Sequence, residues 1–431
     1  MESGNRMTMK SGKNEERKSM VRKRNHVLVT GGGAAGMIAA ISAKRMGAEV
    51  TILERNSRVG KKLLATGNGR CNFTNMTADA NCYSGNNPKF VYHALSAFSA
   101  KETIRFFEKL GIQHKVEDMG KVFPMSDQAS SILDVLLYEL NASGVHIQCD
   151  SYVQDLEKIK GGFLVHTKDG KTYEADKVIL AAGGKAMPSS GSDGNGLDLA
   201  EKLGHNVTGM FPALVQLMLD GPWFKRLNGV KFVGTAEILN KGKSAAGDRG
   251  DILFTNYGVS GPPILQISRK AGELLQQGKE PFLRICILDR MDKGEIRNLI
   301  DRRIQAGPEK TAEFNFVGLI NKRLIPVVLL EAGLDDRNRP ASSLSATERE
   351  RIAEILTDWR FRIRGTRSWP SAQVTAGGVD TREIDPETME SRRVKGLYFA
   401  GEIMDVDGRC GGFNLQWAWS SGFLAGRYAA L

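Results

Sequence analysis

The apolar positions of this chain follow two periods, one of two residues that is typical of strands and one near 3.6 that is typical of helices. The first clear pattern is HVLVTGGGAAGMIAAISAKRMGAEVTILERN, residues 26–56. It predicts an apolar strand at Val27–Val29, a glycine turn, a helix and a second strand at Glu49–Leu53. The chain is therefore expected to begin its fold with a strand–helix–strand unit.

A strand-rich pattern follows in residues 151–184, where apolar and polar residues alternate. Gly161-Gly162 and Asp169-Gly170 interrupt the alternation as hairpin turns do. The pattern predicts a three-stranded meander that runs into a buried strand, Val178–Ala181.

The middle of the chain changes pattern twice. Residues 206–258 alternate as strands, and PFLRICILD at 281–289 adds another strand. Their turn signals are Asp220-Gly221-Pro222, Asn228-Gly229 and Gly247-Asp248. Residues 291–358 are helical in pattern, in KGEIRNLIDRRIQ, GLINKRLIPVVLLEAGL and SATERERIAEILTDW, the last with a capping-type start at Ser345 or Thr347. We predict a small β-barrel that carries a helical subdomain, between about residues 205 and 370.

The glycine turn of the first unit has a spacing with a physical meaning. Gly31, Gly33 and Gly36 form G-x-G-x-x-G: the first makes the tight turn, the second lets a pyrophosphate approach the backbone, and the third lets helix and strand pack closely. Glu54, at the end of the second strand, is placed to accept hydrogen bonds from ribose hydroxyls. A carboxylate there repels a 2′-phosphate, so the motif predicts FAD or NAD rather than NADP.

The C-terminal region favours FAD. A strand at Leu397–Ala400 precedes Gly401-Glu402, a glycine-rich loop and a helix, an arrangement that holds the ribityl chain and flavin of FAD. The start of that helix, near Gly412–Asn414, can stabilise negative charge on the pyrimidine side of a reduced flavin. GSDGNG (191–196) has the wrong spacing for a second dinucleotide motif. The sequence therefore predicts no dedicated NAD(P)H domain.

These patterns predict an α/β protein with a Rossmann-type FAD domain interrupted by an insertion. The predicted ranges are a disordered basic tail at 1–25, the first part of the FAD-binding domain at 26–204, the inserted domain at 205–370 with its helical subdomain at about 291–358, and the second part of the FAD-binding domain at 371–431.

Composition adds limits to this interpretation. Of the net charge of +11, about five charges lie in residues 1–25, so we expect a mixed-sign surface elsewhere. The chain has no apolar run of about 18 residues and no secretory signal, which predicts a cytoplasmic protein without a membrane span. The five cysteines are odd in number and never form C-x-x-C, which argues against a disulfide framework or a structural zinc site.

The sequence resembles the bacterial FAD-dependent oxidoreductases grouped with aminoacetone oxidases and 3-dehydro-bile-acid Δ4,6-reductases, within the glutathione-reductase-type FAD fold. The resemblance is carried by GGGAAG (31–36), LLATGNGRCNFTN (63–75), VFPMSDQASSILDVL (122–136), ILAAGGKAMPSSGSDGNG (179–196), LFTNYGVSGPPILQIS (253–268), TAGGVDT (375–381) and FAGEIMDVDGRCGGFNLQWAWSSG (399–422). It implies tightly bound FAD, a two-part FAD domain and an inserted substrate-side domain.

The resemblance also implies which residues contact the cofactor. At the pyrophosphate and adenosine it places Gly31, Gly33, Ala34, Ala35, Gly36, Glu54, Arg55, the backbone of Val153, Ala182 and Gly183. Along the pyrophosphate, ribityl chain and flavin it places Lys62, Thr66, Gly67, Asn68, Gly69, Arg70, Cys71 and Asn72. At the ribityl and flavin end it places Gly401, Glu402, Gly412, Phe413, Asn414 and Leu415.

Arg70, Cys71 and Tyr257 are candidates for the chemistry itself, and Lys62 shares one of the roles open to Arg70. Arg70 could stabilise an anionic flavin or a substrate carbonyl, as could Lys62, or either could contact phosphate or backbone. Cys71 could be a proton donor or charge-transfer thiol, or a packed, inert thiol. Tyr257 is a candidate acid on the substrate side. Asp405 and Asp407 are metal ligands by type, but we expect them to make loop contacts and predict no metal site.

The leading functional hypothesis is an FAD-dependent oxidoreductase of a small cytoplasmic metabolite. Its reaction would be the NAD(P)H-linked reduction of an enone-type C=C bond in a bile-acid-like or steroid-like substrate. One alternative is an amine oxidase of the aminoacetone type that uses oxygen. Another is an FAD-dependent tRNA-modifying or RNA-binding protein, which would require a basic, aromatic-lined face on the inserted domain. A flavin-binding regulatory protein without turnover is a further alternative. We expect a small-molecule partner rather than nucleic acid.

Overall fold

A computed structural model describes residues 25–431, so the predicted basic tail lies almost wholly outside the described residues. The strands, numbered in chain order, are β1 His26–Thr30, β2 Glu49–Leu53, β3 Thr74–Asn75, β4 Tyr83–Ser84, β5 His114–Val116, β6 Lys121–Pro124, β7 His146–Gln148, β8 Val153–Ile159, β9 Gly162–Thr167, β10 Thr172–Ala175, β11 Lys177–Leu180, β12 Phe211–Ala213, β13 Leu217–Leu219, β14 Lys231–Asn240, β15 Lys243–Thr255, β16 Gly258–Ser260, β17 Phe282–Cys286, β18 Trp359–Thr366, β19 Val374–Ala376, β20 Leu397–Phe399 and β21 Asp407–Gly408. The helices are α1 Ala34–Arg45, α2 Lys61–Ala65, α3 Val91–Ala97, α4 Ala100–Lys109, α5 Ala129–Ala142, α6 Asn195–Lys202, α7 Phe224–Leu227, α8 Pro262–Gln276, α9 Lys293–Gln305, α10 Ala312–Asn315, α11 Ile325–Glu331, α12 Ala346–Thr357 and α13 Phe413–Ala429.

A five-stranded parallel sheet is the centre of the first core. Its strand order is β20-β11-β1-β2-β7, with β1 in the middle. Val27, Leu28 and Val29 are fully buried, as expected for a parallel sheet covered on both faces. The meander β8-β9-β10 forms its own antiparallel sheet before β11. The predicted Rossmann-type α/β fold is therefore confirmed.

A closed barrel is the centre of the second core. Its strands follow the order β13-β16-β15-β14-β17-β18, and helices α9 to α12 lie between β17 and β18 in the chain. The barrel and these helices share a hydrophobic core separate from that of the parallel sheet. This confirms the predicted barrel with helices, while the exact domain boundaries stay predictions.

Two local predictions in this region are wrong. Gly247-Asp248 is not a turn but lies inside β15, and the hairpin instead turns at Lys241-Gly242. Both turn residues have positive φ, 49° and 78°, which fits a two-residue turn of type I′. The predicted helix at 318–334 shortens to α11, where Pro326 stands in the first turn because proline is tolerated only there.

The caps of the helical region are largely as predicted. Ser345 caps α12, and its hydroxyl accepts a hydrogen bond from the backbone N–H of Glu348. The Glu348 carboxylate accepts one in return from the Ser345 N–H, which completes a capping box. Thr347 lies inside the helix instead.

The two connections between the cores run side by side. β12, which leads towards the barrel, pairs antiparallel with β19, which returns from it. The residues at the barrel ends of these strands, Leu214 and Gln373, are joined by a backbone hydrogen bond of 3.3 Å. The pair therefore holds both connections at one place between the cores. Within residues 25–431, no helix is both long and apolar enough to cross a membrane.

Candidate functional site

A cavity of about 680 Å³ opens where the parallel sheet, α13 and the barrel meet. This volume is in the range of ligand sites, roughly 300–1,000 Å³. Its walls include the carboxyl ends of β1 and β2, the usual position of ligands in open α/β sheets. The fold thus places one large cavity at the end of the sheet where the glycine motif lies.

The glycine motif forms one end of the cavity. Gly31 has a φ of 100°, and its N–H donates to the Leu53 carbonyl at 2.8 Å. A Cβ on Gly36 would lie 1.9 Å from the Gly31 carbonyl oxygen, so helix and loop can pack only through glycine. A Cβ on Gly33 would meet no protein atom within 4 Å, and Gly33 lines the cavity. The loop therefore leaves space for a ligand beside Gly33.

The start of α1 is suited to an anion. Gly33 is its N-cap and offers no side-chain cap for the first-turn amides. Those amides carry partial positive charge and have no carbonyl partners within the helix. Gly33, Ala34 and Ala35 line the cavity, so the residues present fit a pyrophosphate at this position.

Glu54 is buried and organises the same loop. One carboxylate oxygen accepts from the Gly32 N–H at 2.8 Å. The other accepts from the backbone N–H of Asn56 at 2.8 Å and from its side-chain amide at 2.7 Å. Glu54 lines the cavity, where it can also accept bonds from ribose hydroxyls.

A loop before α6 covers another part of the cavity. Arg55 forms an ion pair with Asp193 of this loop and stacks over Tyr152, with the guanidinium carbon 4.7 Å from the ring centre. Val153 lines the cavity, and its carbonyl already accepts from the Asn195 side chain at 2.9 Å. Ala182 and Gly183 also line this end.

The segment Thr66–Gly69 forms a tight turn along one wall. Gly67 and Asn68 both have a φ of 56°, the left-handed region that non-glycine residues rarely adopt. The Asn72 side chain then accepts from the Val122 N–H at 3.2 Å, which fastens the segment to β6. Strain in a cavity wall is typical of functional sites.

An ion pair lies on the cavity wall between α2 and the turn after β20. The Lys62 ammonium lies 2.5 Å from one carboxylate oxygen of Glu402, and the other oxygen accepts from the Thr375 N–H at 2.8 Å. Both charged side chains are partly exposed to the cavity. The pair fixes α2 against the turn after β20.

The start of α13 forms the opposite end of the cavity from the glycine motif. Its N-cap, Gly412, has a φ of 98° and supplies no side-chain cap. Asn414 closes the preceding loop: its side chain accepts from the Gly408 N–H at 2.8 Å and donates to the Gly408 carbonyl at 2.9 Å. Two helix N-termini, those of α1 and α13, therefore face one cavity.

Arg70 is held by two carboxylates. Its guanidinium binds Asp127 at 2.6 and 2.8 Å, also binds Glu117, and lies 4.1 Å from the centre of the Phe123 ring. The hydrogen bonds that Arg70 donates to Glu117 and Asp127 raise the pKa of its guanidinium. Lys115 joins the same cluster through Asp127. Arg70 lines the cavity as a compensated charge rather than as a free cation.

Cys71 and Tyr257 lie outside the residues that line the cavity. Cys71 is fully buried, and burial raises the pKa of its thiol to about 12. A thiol of this kind carries no thiolate near neutral pH, which favours the packed, inert alternative. Tyr257 lies in the turn between β15 and β16 under the guanidinium of Arg367. The structure therefore brings neither candidate to the cavity wall.

Most of the predicted cofactor residues nevertheless lie together. Of the 24, the structure leaves five off the cavity wall: Gly36, Gly69, Cys71, Gly401 and Phe413. Their predicted contacts with FAD stay predictions, as do those of the 19 residues on the wall.

Sequence reasoning missed the barrel end of the cavity. The wall there includes Leu214, Ser260, Leu265, Pro370 and Gln373, and the residues missed elsewhere on the wall include Lys121, Phe123, Met187, Cys410 and Gly411. These residues come from β6, β16, the first turn of α8 and several connections, where no periodic pattern marks a site. The one available signal was the family resemblance of the segments 253–268 and 399–422, which contain Ser260, Leu265, Cys410 and Gly411.

Asp405 and Asp407 make structural contacts. Asp407 is buried, and one of its oxygens accepts from Arg269 at 2.7 Å, while Asp405 accepts from the Asn86 N–H at 3.0 Å. Burial raises the pKa of both carboxyls. Across residues 25–431, no group of three or more His, Cys, Asp or Glu is arranged to hold a metal ion.

The sequence of this chain is similar to those of a known protein family. Residues 25–428 match the family described as the HI0933-like protein Rossmann domain. The chain is 42% identical over 408 residues to the 3-dehydro-bile acid delta(4,6)-reductase of Clostridium scindens, covering 94% of this chain and 99% of that protein. It is 33% identical over 399 residues to the ribosomal RNA dihydrouridine synthase of Escherichia coli, covering 93% and 96%.

Among solved structures, the 3-ketosteroid-delta4-(5alpha)-dehydrogenase of Rhodococcus jostii RHA1 aligns with a TM-score of 0.48 and 16% identity, over 96% of this chain and 99% of that one. The chain belongs to the HI0933-like family, and it is an FAD-dependent oxidoreductase.

Proposed function

We propose that this enzyme reduces a carbon–carbon double bond conjugated to a carbonyl group, with NAD(P)H as the reductant and a small, largely apolar substrate. The observation that carries the proposal is the continuity of the cavity from the glycine motif to the barrel. The barrel end is lined by apolar side chains such as Leu214, Leu265 and Pro370, beside the polar side chains of Ser260 and Gln373. A steroid-like enone fits this composition better than a charged metabolite does.

The relatives support the same reaction type. The Clostridium scindens protein is named for the reduction of a 3-dehydro-bile acid. The Escherichia coli protein is named for the synthesis of dihydrouridine, which also adds two hydrogens across a carbon–carbon double bond. We propose for this chain the substrate class of the first, because the sequence identity is higher, 42% against 33%, at similar coverage.

We also propose which part of the cavity wall would hold each part of FAD. The α1 start and Gly33 would hold the pyrophosphate, Glu54 the adenosine ribose, and the α13 start the flavin ring. When bound, FAD would supply the hydride-transfer chemistry between NAD(P)H and the β-carbon of the enone. The α-carbon would then need a proton, and the wall groups that carry one include the Ser260 hydroxyl, the Cys410 thiol and the Lys121 ammonium. The need for NAD(P)H is consistent with the proposed cytoplasmic location.

The test is an anaerobic two-step experiment. Purified protein should be yellow, with absorbance near about 450 nm that NADH or NADPH bleaches. Adding a steroid 4-en-3-one should then restore the oxidised spectrum, whereas the saturated 3-oxosteroid should not. If neither nicotinamide bleaches the flavin and aminoacetone does, the reductase proposal is wrong and the amine oxidase takes its place.

A second candidate function is the reduction of uridine in RNA. One observation favours it besides the Escherichia coli relative: the outer face of β17 and β18 carries Arg284, Arg360, Arg362 and Arg364 beside an exposed Phe282. Three of these arginines are paired with carboxylates, at 2.5 to 2.7 Å, so the face is only partly a free basic surface.

This candidate is tested by direct binding. If RNA is the substrate, the purified protein should bind ribosomal RNA in a salt-sensitive way, and R360Q/R362Q/R364Q should weaken binding without loss of FAD. If the variant and the wild type bind RNA with equal affinity, this candidate function is wrong. The same variant should reduce the steroid enone normally if the first proposal holds.

A further inference from the structure

The cations that line the cavity differ in their partners. Arg55 is paired with Asp193, Lys62 with Glu402, and Arg70 with Glu117 and Asp127. Each of these positive charges is therefore largely compensated before a ligand binds. Lys61 also lines the cavity but is exposed to solvent at its rim.

Lys121 differs from all of them. It is half-buried, lines the cavity, and forms no ion pair within residues 25–431. An ammonium group on a cavity wall that has no carboxylate partner is available to an anionic or polarised group of a ligand.

The backbone fixes where the Lys121 side chain lies. Lys121 begins β6 and pairs with Asn75 of β3. The Asn75 side chain donates to the Gly411 carbonyl at 2.8 Å, which ties this hairpin to the loop before α13. The Cε atom of Lys121 lies 3.6 Å from the position that a Cβ on Gly411 would take. The ammonium group is therefore held next to the start of α13.

Cys410, which precedes Gly411, lies on the same stretch of the cavity wall as Lys121. Burial raises the pKa of its thiol, and the positive charge of Lys121 acts in the opposite direction. Lys121 and the uncapped amides of α13 thus direct positive potential at the same end of the cavity.

The order of groups along the cavity identifies what lies there. The glycine motif and Glu54 occupy one end, so the pyrophosphate and adenosine of FAD lie at that end, and the isoalloxazine ring lies towards α13. We propose that Lys121, together with the start of α13, stabilises the negative charge that the flavin ring carries when it is reduced. This inference rests on bound FAD and not on the identity of the substrate.

The experiment compares K121M with K121R, and uses K61M as the matched control at the cavity rim. Two readouts need no turnover: the midpoint potential of the bound flavin, and the affinity of the oxidised enzyme for sulfite, measured by loss of flavin absorbance. Sulfite adds to oxidised flavin and leaves negative charge on the ring, so it reports positive charge near the pyrimidine edge.

We expect K121M to bind FAD, to have a lower potential, and to bind sulfite about tenfold more weakly, the effect of losing one nearby charge in a partly screened site. K121R should stay close to wild type, and K61M should be unchanged. Equal potentials and sulfite affinities in K121M and wild type would overturn the inference, even if the KM for an enone rises. Failure of the enone assay in the wild type would affect only the proposed function.

Discussion

At the residue scale, Gly33 and Gly36 of the first loop have different surroundings, so we expect substitutions at these two positions to have opposite effects on FAD binding and on stability. A side chain on Gly33 would occupy the space beside the helix start and no protein atom. A side chain on Gly36 would collide with the Gly31 carbonyl whether or not a ligand is bound. The same motif thus contains one residue kept for the ligand and one kept for packing.

We predict that G33V abolishes FAD binding while the stability of the apoprotein stays close to that of wild-type apoprotein. G36A should instead destabilise the apoprotein, by about 1–3 kcal/mol as expected for overpacking. Flavin content after desalting and urea unfolding of both apoproteins measure the two effects. A yellow G33V protein would show that the pyrophosphate lies elsewhere.

Cys71 provides a second prediction at the residue scale. Its thiol is fully buried, and its pKa of about 12 leaves it neutral throughout the working pH range. C71S should therefore keep its flavin and an unchanged kcat, and lose about 1–2 kcal/mol of stability because a hydroxyl replaces a thiol in the core. If kcat falls in C71S while flavin and stability are retained, Cys71 has a catalytic role.

At the scale of elements, periodicity identified the strands and helices well but not every turn. The meander β8-β9-β10 and β11 follow from alternation and clear turn residues. The β14–β15 hairpin was misplaced because Gly247-Asp248 resembles a turn, while the true turn uses Lys241, which has no strong turn preference. Register between long paired strands decided the position of the turn, and register is not a local property.

One ion pair joins α8, which packs in the barrel core, to β21, the strand that precedes α13. Arg269 of α8 binds the buried carboxylate of Asp407 in β21 at 2.7 Å. R269M would leave that carboxylate without its partner, at a cost on the order of 3 kcal/mol. E273Q, which removes the more exposed partner of Arg269, should cost well under 1 kcal/mol.

The loss in R269M should depend on pH. Burial already raises the pKa of Asp407, and removing Arg269 raises it further, so the folded state binds a proton more readily than the unfolded chain does. Stability is then retained at low pH and lost as pH rises through the folded pKa of Asp407. Urea unfolding of R269M at pH 5 and pH 8 measures this difference, and D407N in the R269M background should remove it.

At the scale of the whole molecule, the sequence predicted one half of the site. The glycine motif, Glu54 and the α13 start follow from spacing that carries a physical reason, and they do line one cavity. The barrel end was missed because Leu214, Ser260 and Leu265 become neighbours only when β12 and β19 bring both connections together. Such proximity depends on how two cores meet, which local patterns do not encode.

This division between two cores makes the ends of the cavity separable by mutation. Leu265 lies in α8 on the cavity wall, whereas Gln276 lies exposed at the other end of the same helix. L265W should fill the barrel end while the glycine motif and the α13 start remain intact. We expect FAD content and the rate of bleaching by NAD(P)H to be retained, with the KM for the steroid enone raised about tenfold, the effect of losing a few buried methylene contacts. Q276W should behave as wild type, and loss of flavin from L265W alone would show that the two ends are not independent.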